Sequence, residues 1–192
     1  ENFDLIVIAF SLSGIDFIGR ELRLQNIKTP ILVLTKGLKY VKKLNRIFTI
    51  SDQLRKIYKL RNIFVLKGPC LAKELAKKNK TSVIIANKNI NSAKSIGKFI
   101  STKYYFIEYS KDVTGIEVSS AIKNIYSMII GAGQSLNASS NLFQKSVIEM
   151  CYLTKYFKGK EETTLGLSGV GDLYVSAAGG RNSKMGSYLG KG

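Results

Sequence analysis

The chain has 192 residues, of which 45% are hydrophobic and 22% charged, with a formal net charge of +17, two cysteines and no histidine. That length and apolar content allow one ordinary domain or one and a half smaller ones, and they exclude a disordered chain. Histidine acid–base chemistry and most zinc sites are excluded, and no apolar run approaches the roughly 18 residues of a membrane-spanning helix.

Lysine is scattered through every segment beside abundant Ile and Asn, so most of the charge reads as compositional bias. What remains favours a small anionic ligand over a nucleic-acid stripe. Cys70 and Cys151 form no disulfide framework and no metal-type spacing, which fits a reducing cytoplasm. No signal peptide is expected. The chain opens Glu-Asn-Phe-Asp without Met and enters an apolar run at once, so residues are expected to precede Glu1.

Phe3–Phe10 (FDLIVIAF) is a continuous apolar run of buried-strand type, and Ile15–Leu24 has helical spacing. Thr29–Thr35 predicts a second strand. Asp52–Leu60 predicts a helix, Asn62–Leu66 a strand and Leu71–Lys78 a helix. Thr81–Ala86 is again a strand, Asn91–Ile100 a helix and Lys103–Tyr109 a strand. Buried strands separated by helices indicate a mostly parallel, doubly wound sheet, in which the last strand or two could run antiparallel.

After about Lys111 the pattern becomes helical. Asp112–Gly131 and Ser140–Phe157 read as long helices, the second capped by Ser139, Ser140 and Asn141. In the first, Val118, Ala121, Ile122, Ile125, Met128 and Ile129 form a stripe with i, i+3, i+4 spacing. The expected fold class is α/β: part of a doubly wound, nucleotide-type domain over residues 1–110, then part of an all-helical domain over 111–192.

Four stretches could carry chemistry. Thr35-Lys36-Gly37 ends a predicted strand, where doubly wound sheets form their ligand crevice; alternatively Lys36 is a turn lysine before a basic helix. Gly68-Pro69-Cys70-Leu71-Ala72 follows another strand and opens a helix whose free amides can hold an oxyanion; alternatively it is an ordinary strand-to-helix turn. Lys123-Asn124 interrupts the stripe of the first long helix, with Ser119, Ser120 and Ser127 on the lysine's side; alternatively the lysine snorkels to water. Gly169-Val-Gly171-Asp172-Leu173 and Gly179-Gly180-Arg181-Asn182 close the set. There the glycines permit close backbone approach, and a guanidinium sits at the start of a short helix.

Together, in this order, these stretches resemble the NAD(P)-dependent glycerol-3-phosphate dehydrogenase family. The likeness covers essentially the whole chain. Its most specific part is G-x-E-x-x-x-A-x-K-N, then G-x-G-D-L, then R-N, supplied here by Gly115, Glu117, Ala121, Lys123, Asn124, Gly169, Gly171, Asp172, Leu173, Arg181 and Asn182. Cys70 stands where bacterial relatives usually have Ser, and Ser176 where many have Thr.

The resemblance implies a Rossmann-type sheet and reversible hydride transfer between NAD or NADP and carbon 2 of a phosphorylated triose or glycerol. The product would supply glycerol phosphate for phospholipid synthesis. It implies that Lys123 is the catalytic acid–base and faces a cleft, with the small residues beside it leaving room for substrate. Lys36, Gly68, Cys70, Asn124, Asp172, Ser176, Gly180, Arg181 and Asn182 would contact substrate. Lys36, Ala72 and Arg181 would border the cofactor, and no metal is implied. Lys36, Arg181 and partial burial are expected to lower the pKa of Lys123. A cytoplasmic homodimer without nucleic acid or membrane span is the expected assembly.

In that family a G-x-G-x-x-G fingerprint lies ahead of the first strand found here, and the helical domain continues past the helix begun by Arg181. The chain is therefore expected to be a fragment, poorly active alone, without the segment that distinguishes NAD from NADP. Competing readings are an inactive basic remnant that binds nucleic acid, which requires exposed aromatics along a basic stripe, and a dehydrogenase of another hydroxy acid. Most Tyr and Phe here are expected in strands and helix cores.

Overall fold

Residues 3–192 are described by a computed structural model. Two apolar runs that cannot face water on either side set the centre of its sheet. These are β2 (Ile31–Val33) and β5 (Ile63–Lys67), buried at every position. They are flanked by β1 (Ile6–Ile8) on one side, and by β6 (Thr81–Ala86) and then β7 (Tyr105–Ser110) on the other. The first three run parallel, β6 runs antiparallel to β5, and β7 follows β6 in parallel. Apolar periodicity carries no information about that reversal, because a buried strand looks the same in either direction.

Side-chain alternation divides the core into two layers. Ile31, Val33, Ile63 and Val65 pack against Ile15 and Leu22 of α1 (Ile15–Leu24), and against Ile50 and Leu54 of α2 (Ile50–Lys56). Leu32, Phe64 and Leu66 face Ala93 and Ile96 of α4 (Ile90–Ile100), which follows the short α3 (Ala72–Ala76). Helices on both faces make the sheet doubly wound. The run at Phe3–Phe10 is less buried than its composition suggests. β1 takes only three residues and lies at the sheet edge, where Val7 is half exposed.

The sequence reading assigned no element to residues 38–49, and the basic helix considered after Lys36 does not form. Instead β3 (Leu38–Val41) and β4 (Arg46–Thr49) make an antiparallel hairpin closed through Asn45 in the left-handed conformation, φ 45°. Thr49 then caps α2, its hydroxyl accepting from the Asp52 amide at 3.3 Å.

The remainder is helical: α5 (Val113–Gly131), α6 (Leu136–Tyr156), α7 (Glu161–Leu165), a π-type turn over Leu167–Gly171, α8 (Asp172–Ala177) and α9 (Arg181–Leu189). Asp112 caps α5 by accepting from the Gly115 amide at 2.9 Å. α6 starts before the expected caps, with Ser135 accepting from the Ala138 amide. The chain reverses at Gln134 (φ 57°), so the first hydroxyl after the reversal takes the cap.

The stripe on α5 is also rotated from the expected one. Val118, Ile122, Tyr126 and Ile130 are buried, whereas Ile125 and Ile129 are exposed. Small residues shift the contact face. A Cβ on Gly131 would lie 2.1 Å from the Ser183 carbonyl oxygen, and one on Gly186 would lie 1.8 Å from that of Met128, so α5 and α9 touch backbone to backbone. Aromatics are more exposed than expected, including Phe17, Tyr40, Phe99, Phe106, Tyr152, Tyr156, Tyr174 and Tyr188. They are spread over elements from α1 to α9.

Candidate active site

Lys123 belongs to α5 and is only 5% exposed, so it does not snorkel. Its ammonium donates to Asp172 Oδ1 at 2.8 Å and to Ser176 Oγ, both on α8. The other carboxylate oxygen of Asp172 accepts from Lys36 Nζ at 2.5 Å. Lys36 lies at the carboxyl end of β2, on the turn that Gly37 closes with φ 141°. One buried carboxylate thus joins an ammonium from the sheet to an ammonium from the helical part.

Burial pulls the Lys123 ammonium below the ordinary lysine range. The Asp172 carboxylate pulls it back up, and the nearby Lys36 charge pushes it down again. The direction agrees with the sequence reading, but Arg181 is not among the causes. Arg181 is exposed at the start of α9, and its side chain has no hydrogen bond or ion pair among the described residues. Asn182 beside it is half-buried.

The other candidates lie around this cluster. Gly68 follows β5 with φ 126°, and a Cβ there would press on Val83 Cα at 3.2 Å. Cys70 is exposed, its thiol pushed up by partial desolvation, close enough to Lys36 and Asp172 to sense both charges. Ala72 begins α3 and is exposed. Gly180 donates its amide to the Ser176 carbonyl at 2.9 Å, and a Cβ there would sit 2.6 Å from the same oxygen. Between α3 and this loop is a depression of about 380 Å³ lined by Leu71, Glu74, Tyr174 and Gly180. Asn124 is half-buried, and its carbonyl accepts from Ser127 Oγ.

The small residues beside Lys123 serve helix packing and not substrate room. Ser119, Ser120 and Ser127 are fully buried, and Ser119 Oγ meets Ser168 Oγ of the π-type turn at 3.0 Å. A Cβ on Gly169 of that turn would lie 2.0 Å from the Thr164 carbonyl oxygen, so the first glycine of G-x-G-D-L permits a close approach that aims Asp172 at Lys123.

Sequence reasoning gave no role to two buried charges. Glu117 accepts from the Ser51 amide at 2.9 Å and from its hydroxyl at 2.5 Å, tying α5 to the first turn of α2. Lys67, at the end of a strand buried throughout, is 2% exposed. For Glu117 the signal was available, a charged residue inside a helix read as core; Lys67 lies one residue past the predicted strand and gave none.

These glycines, two lysines and one aspartate are among the residues that carry the sequence likeness, and comparison with known proteins decides the kinship. Residues 1–93 match the family described as NAD-dependent glycerol-3-phosphate dehydrogenase N-terminus, and residues 112–192 match the corresponding C-terminus. The chain belongs to the NAD-dependent glycerol-3-phosphate dehydrogenase family. The NADP(+)-dependent glycerol-3-phosphate dehydrogenase of Archaeoglobus fulgidus is 31% identical over all of this chain and 60% of its own length. A glycerol-3-phosphate dehydrogenase [NAD(P)+] of Campylobacter lari is 32% identical over all of this chain and 64% of its own.

The solved glycerol-3-phosphate dehydrogenase of Coxiella burnetii, 28% identical, superposes with TM-score 0.86 over 98% of this chain and 58% of that one. The Dunaliella salina structure, at 23% identity and TM-score 0.88 over 98% of this chain and 33% of that one, shares the fold. The chain therefore spans about 60% of the length of the curated relatives it matches. Among the described residues no helix is long and apolar enough to cross a membrane.

Proposed function

We propose that this protein catalyses reversible NAD(P)H-dependent reduction of dihydroxyacetone phosphate to sn-glycerol 3-phosphate, the precursor of phospholipid glycerol. The observation that carries the reading is the buried Lys123 ammonium, held by Asp172 and Ser176 with Lys36 on the same carboxylate.

A dinucleotide suits the donor set at the carboxyl ends of the parallel strands. Lys36 is one-third exposed there, and the amides of Cys70 and Leu71 have no acceptor among the described residues. Lys36, Ala72 and Arg181 would border it. When bound, a nicotinamide held there would supply or accept the hydride at carbon 2. As the carbonyl gains an electron pair, its oxygen becomes basic, and Lys123 Nζ donates the proton. In the reverse direction neutral Lys123 takes the hydroxyl proton. Burial brings the lysine's pKa towards that of a usable acid near neutrality, which an open lysine at about 10.4 is not. Asp172 and Ser176 fix the direction of Nζ, and the Lys36 charge draws electron density towards the oxygen.

Arg181 and Asn182 follow the Gly179-Gly180 turn and reach the phosphate as fork and amide, so the non-reacting end of the substrate positions the reacting one. Gly68, Cys70, Asn124 and Gly180 line the rest of the substrate path. A homodimer belongs to this reading, and so does a reducing cytoplasm, supported by two unpaired cysteines.

The test is turnover of NADH or NADPH with dihydroxyacetone phosphate and, for comparison, with keto acids, together with dinucleotide affinity. In the intact enzyme, K123A should abolish turnover and leave dinucleotide affinity largely intact; near-normal turnover refutes the role. R181K should raise KM, because a point charge cannot replace the planar fork. Salt-sensitive DNA retention without dinucleotide binding would replace the reading with the nucleic-acid one.

A further inference from the structure

We infer that Lys67 is a positioning residue for this site, its side-chain amine bracing the turn that carries Lys36 and so keeping Lys36 on Asp172. The inference rests on the proposed function for what Lys36 is for, whereas the brace is made entirely by atoms of this chain.

Strand alternation puts Lys67 in the row of Ile63 and Val65, the side of the sheet filled by the larger apolar cluster. An apolar residue would satisfy that position, and a lysine there is costly unless its polar end is used. It is used: Nζ donates to the Thr35 carbonyl at 2.7 Å and to the Val33 carbonyl at 3.2 Å. Val33 is the last residue of β2 in register with β5, and Thr35 lies beyond it. The amine therefore crosses from β5 to hold β2 where the backbone ladder has ended.

Thr35 is fixed a second time by its own hydroxyl, which donates to the Phe10 carbonyl at 2.7 Å. With carbonyl and hydroxyl both held, the next residue has little freedom to turn. Lys36 is that residue, and its Nζ reaches Asp172. The force path runs from β5 through Thr35 to Lys36 and ends on the carboxylate that also holds Lys123.

The hydrogen-bond count matches a neutral amine. Two N–H groups meet two carbonyls, and a third proton would find no acceptor among the described residues. The charged groups facing Lys67 are Glu117 from α5, Lys36 from the turn after β2, and Asp172 from α8. Burial pulls Lys67 down to about 7, Glu117 and Asp172 oppose this, and Lys36 reinforces it. Because both hydrogen bonds survive loss of the proton, the brace holds on either side of neutrality.

Two measurements on the full chain test this without substrate or dinucleotide. In wild type labelled with carbon-13 at threonine carbonyls and assigned with Thr35→Ser, the Thr35 carbonyl shift should follow one proton with a midpoint near 7. A midpoint at the open-lysine value of about 10.4 would put the amine in water instead of on the two carbonyls and overturns the inference. In K67M, trace acylation of lysines read peptide by peptide should show Lys36 reacting about fivefold faster, the equivalent of losing one ordinary hydrogen bond. A Lys36 rate within about twofold of wild type in folded K67M also overturns it, being less than one such bond is worth. If K67M does not fold, the wild-type titration decides alone. Failure of the proposed activity would leave both readouts unchanged, so the two ideas fail separately.

Discussion

Replacing Asp172 by Asn removes one charge at nearly constant volume from a site where two ammonium groups depend on it. Lys123 lies 2.8 Å from Oδ1, and the side chains of Lys123 and Asp172 are 7% and 5% exposed. Removing one partner of such a buried pair strands the other, at about 3–5 kcal/mol. The Lys36 side chain is 32% exposed, so solvent screening limits its share to no more than about 1 kcal/mol. D172N should therefore lose about 3–5 kcal/mol of stability near neutral pH, mostly through Lys123.

The pH dependence follows from the same residue. Without the carboxylate that pulls its pKa up, Lys123 sheds its proton in the fold more readily, while the unfolded chain keeps it until about pH 10.4. Across that window the unfolded state binds more protons, so rising pH favours the fold and the deficit of D172N shrinks. Urea unfolding followed by circular dichroism at neutral and alkaline pH reads both effects, and D172N/K123M should recover much of the loss. A deficit below about 1 kcal/mol, typical of an exposed pair, would refute the claim that Lys123 is a buried charge dependent on Asp172.

Lys67 gives a second pH signature. Its pKa is about 7 in the fold, against about 10.4 in an open chain, so its contribution should grow with pH at up to about 1.4 kcal/mol per unit between those values and stay level below them. K67M should lack that slope in melting curves, and an identical slope in both proteins rules out a buried, titrating Lys67. E117Q exchanges a charged acceptor of two Ser51 hydrogen bonds for a neutral one and should cost about 1.5–3 kcal/mol by denaturant unfolding. A neutral effect would mean that α2 is not anchored there. G186A must push a methyl group into the Met128 carbonyl of α5, and should cost about 1–3 kcal/mol with faster amide exchange in α9; unchanged exchange would exclude backbone contact between these helices.

Where one local rule was enough, the sequence could be read closely. Ile15–Leu24 is a helix with the bounds its spacing predicts, and Thr81–Ala86 is a strand with its bounds unchanged. The motif residues Lys36, Lys123, Asp172 and Ser176, far apart in sequence, meet in one cluster. The hairpin over residues 38–49 was hidden because lysines interrupt its alternation, so its pairing emerges only when both strands are opposite each other.

Composition, residue types and their order by themselves determined the α/β class and the kinship, because each of these is written in local periodicity or in short motifs. Tertiary structure alone decided the direction of β6 and β7, the face of α5 that is buried, and the use of Lys67. Those depend on which backbone comes within a few ångströms of which side chain. A lysine at the end of an apolar strand reads as a surface residue until the carbonyls of Val33 and Thr35 are found at its tip.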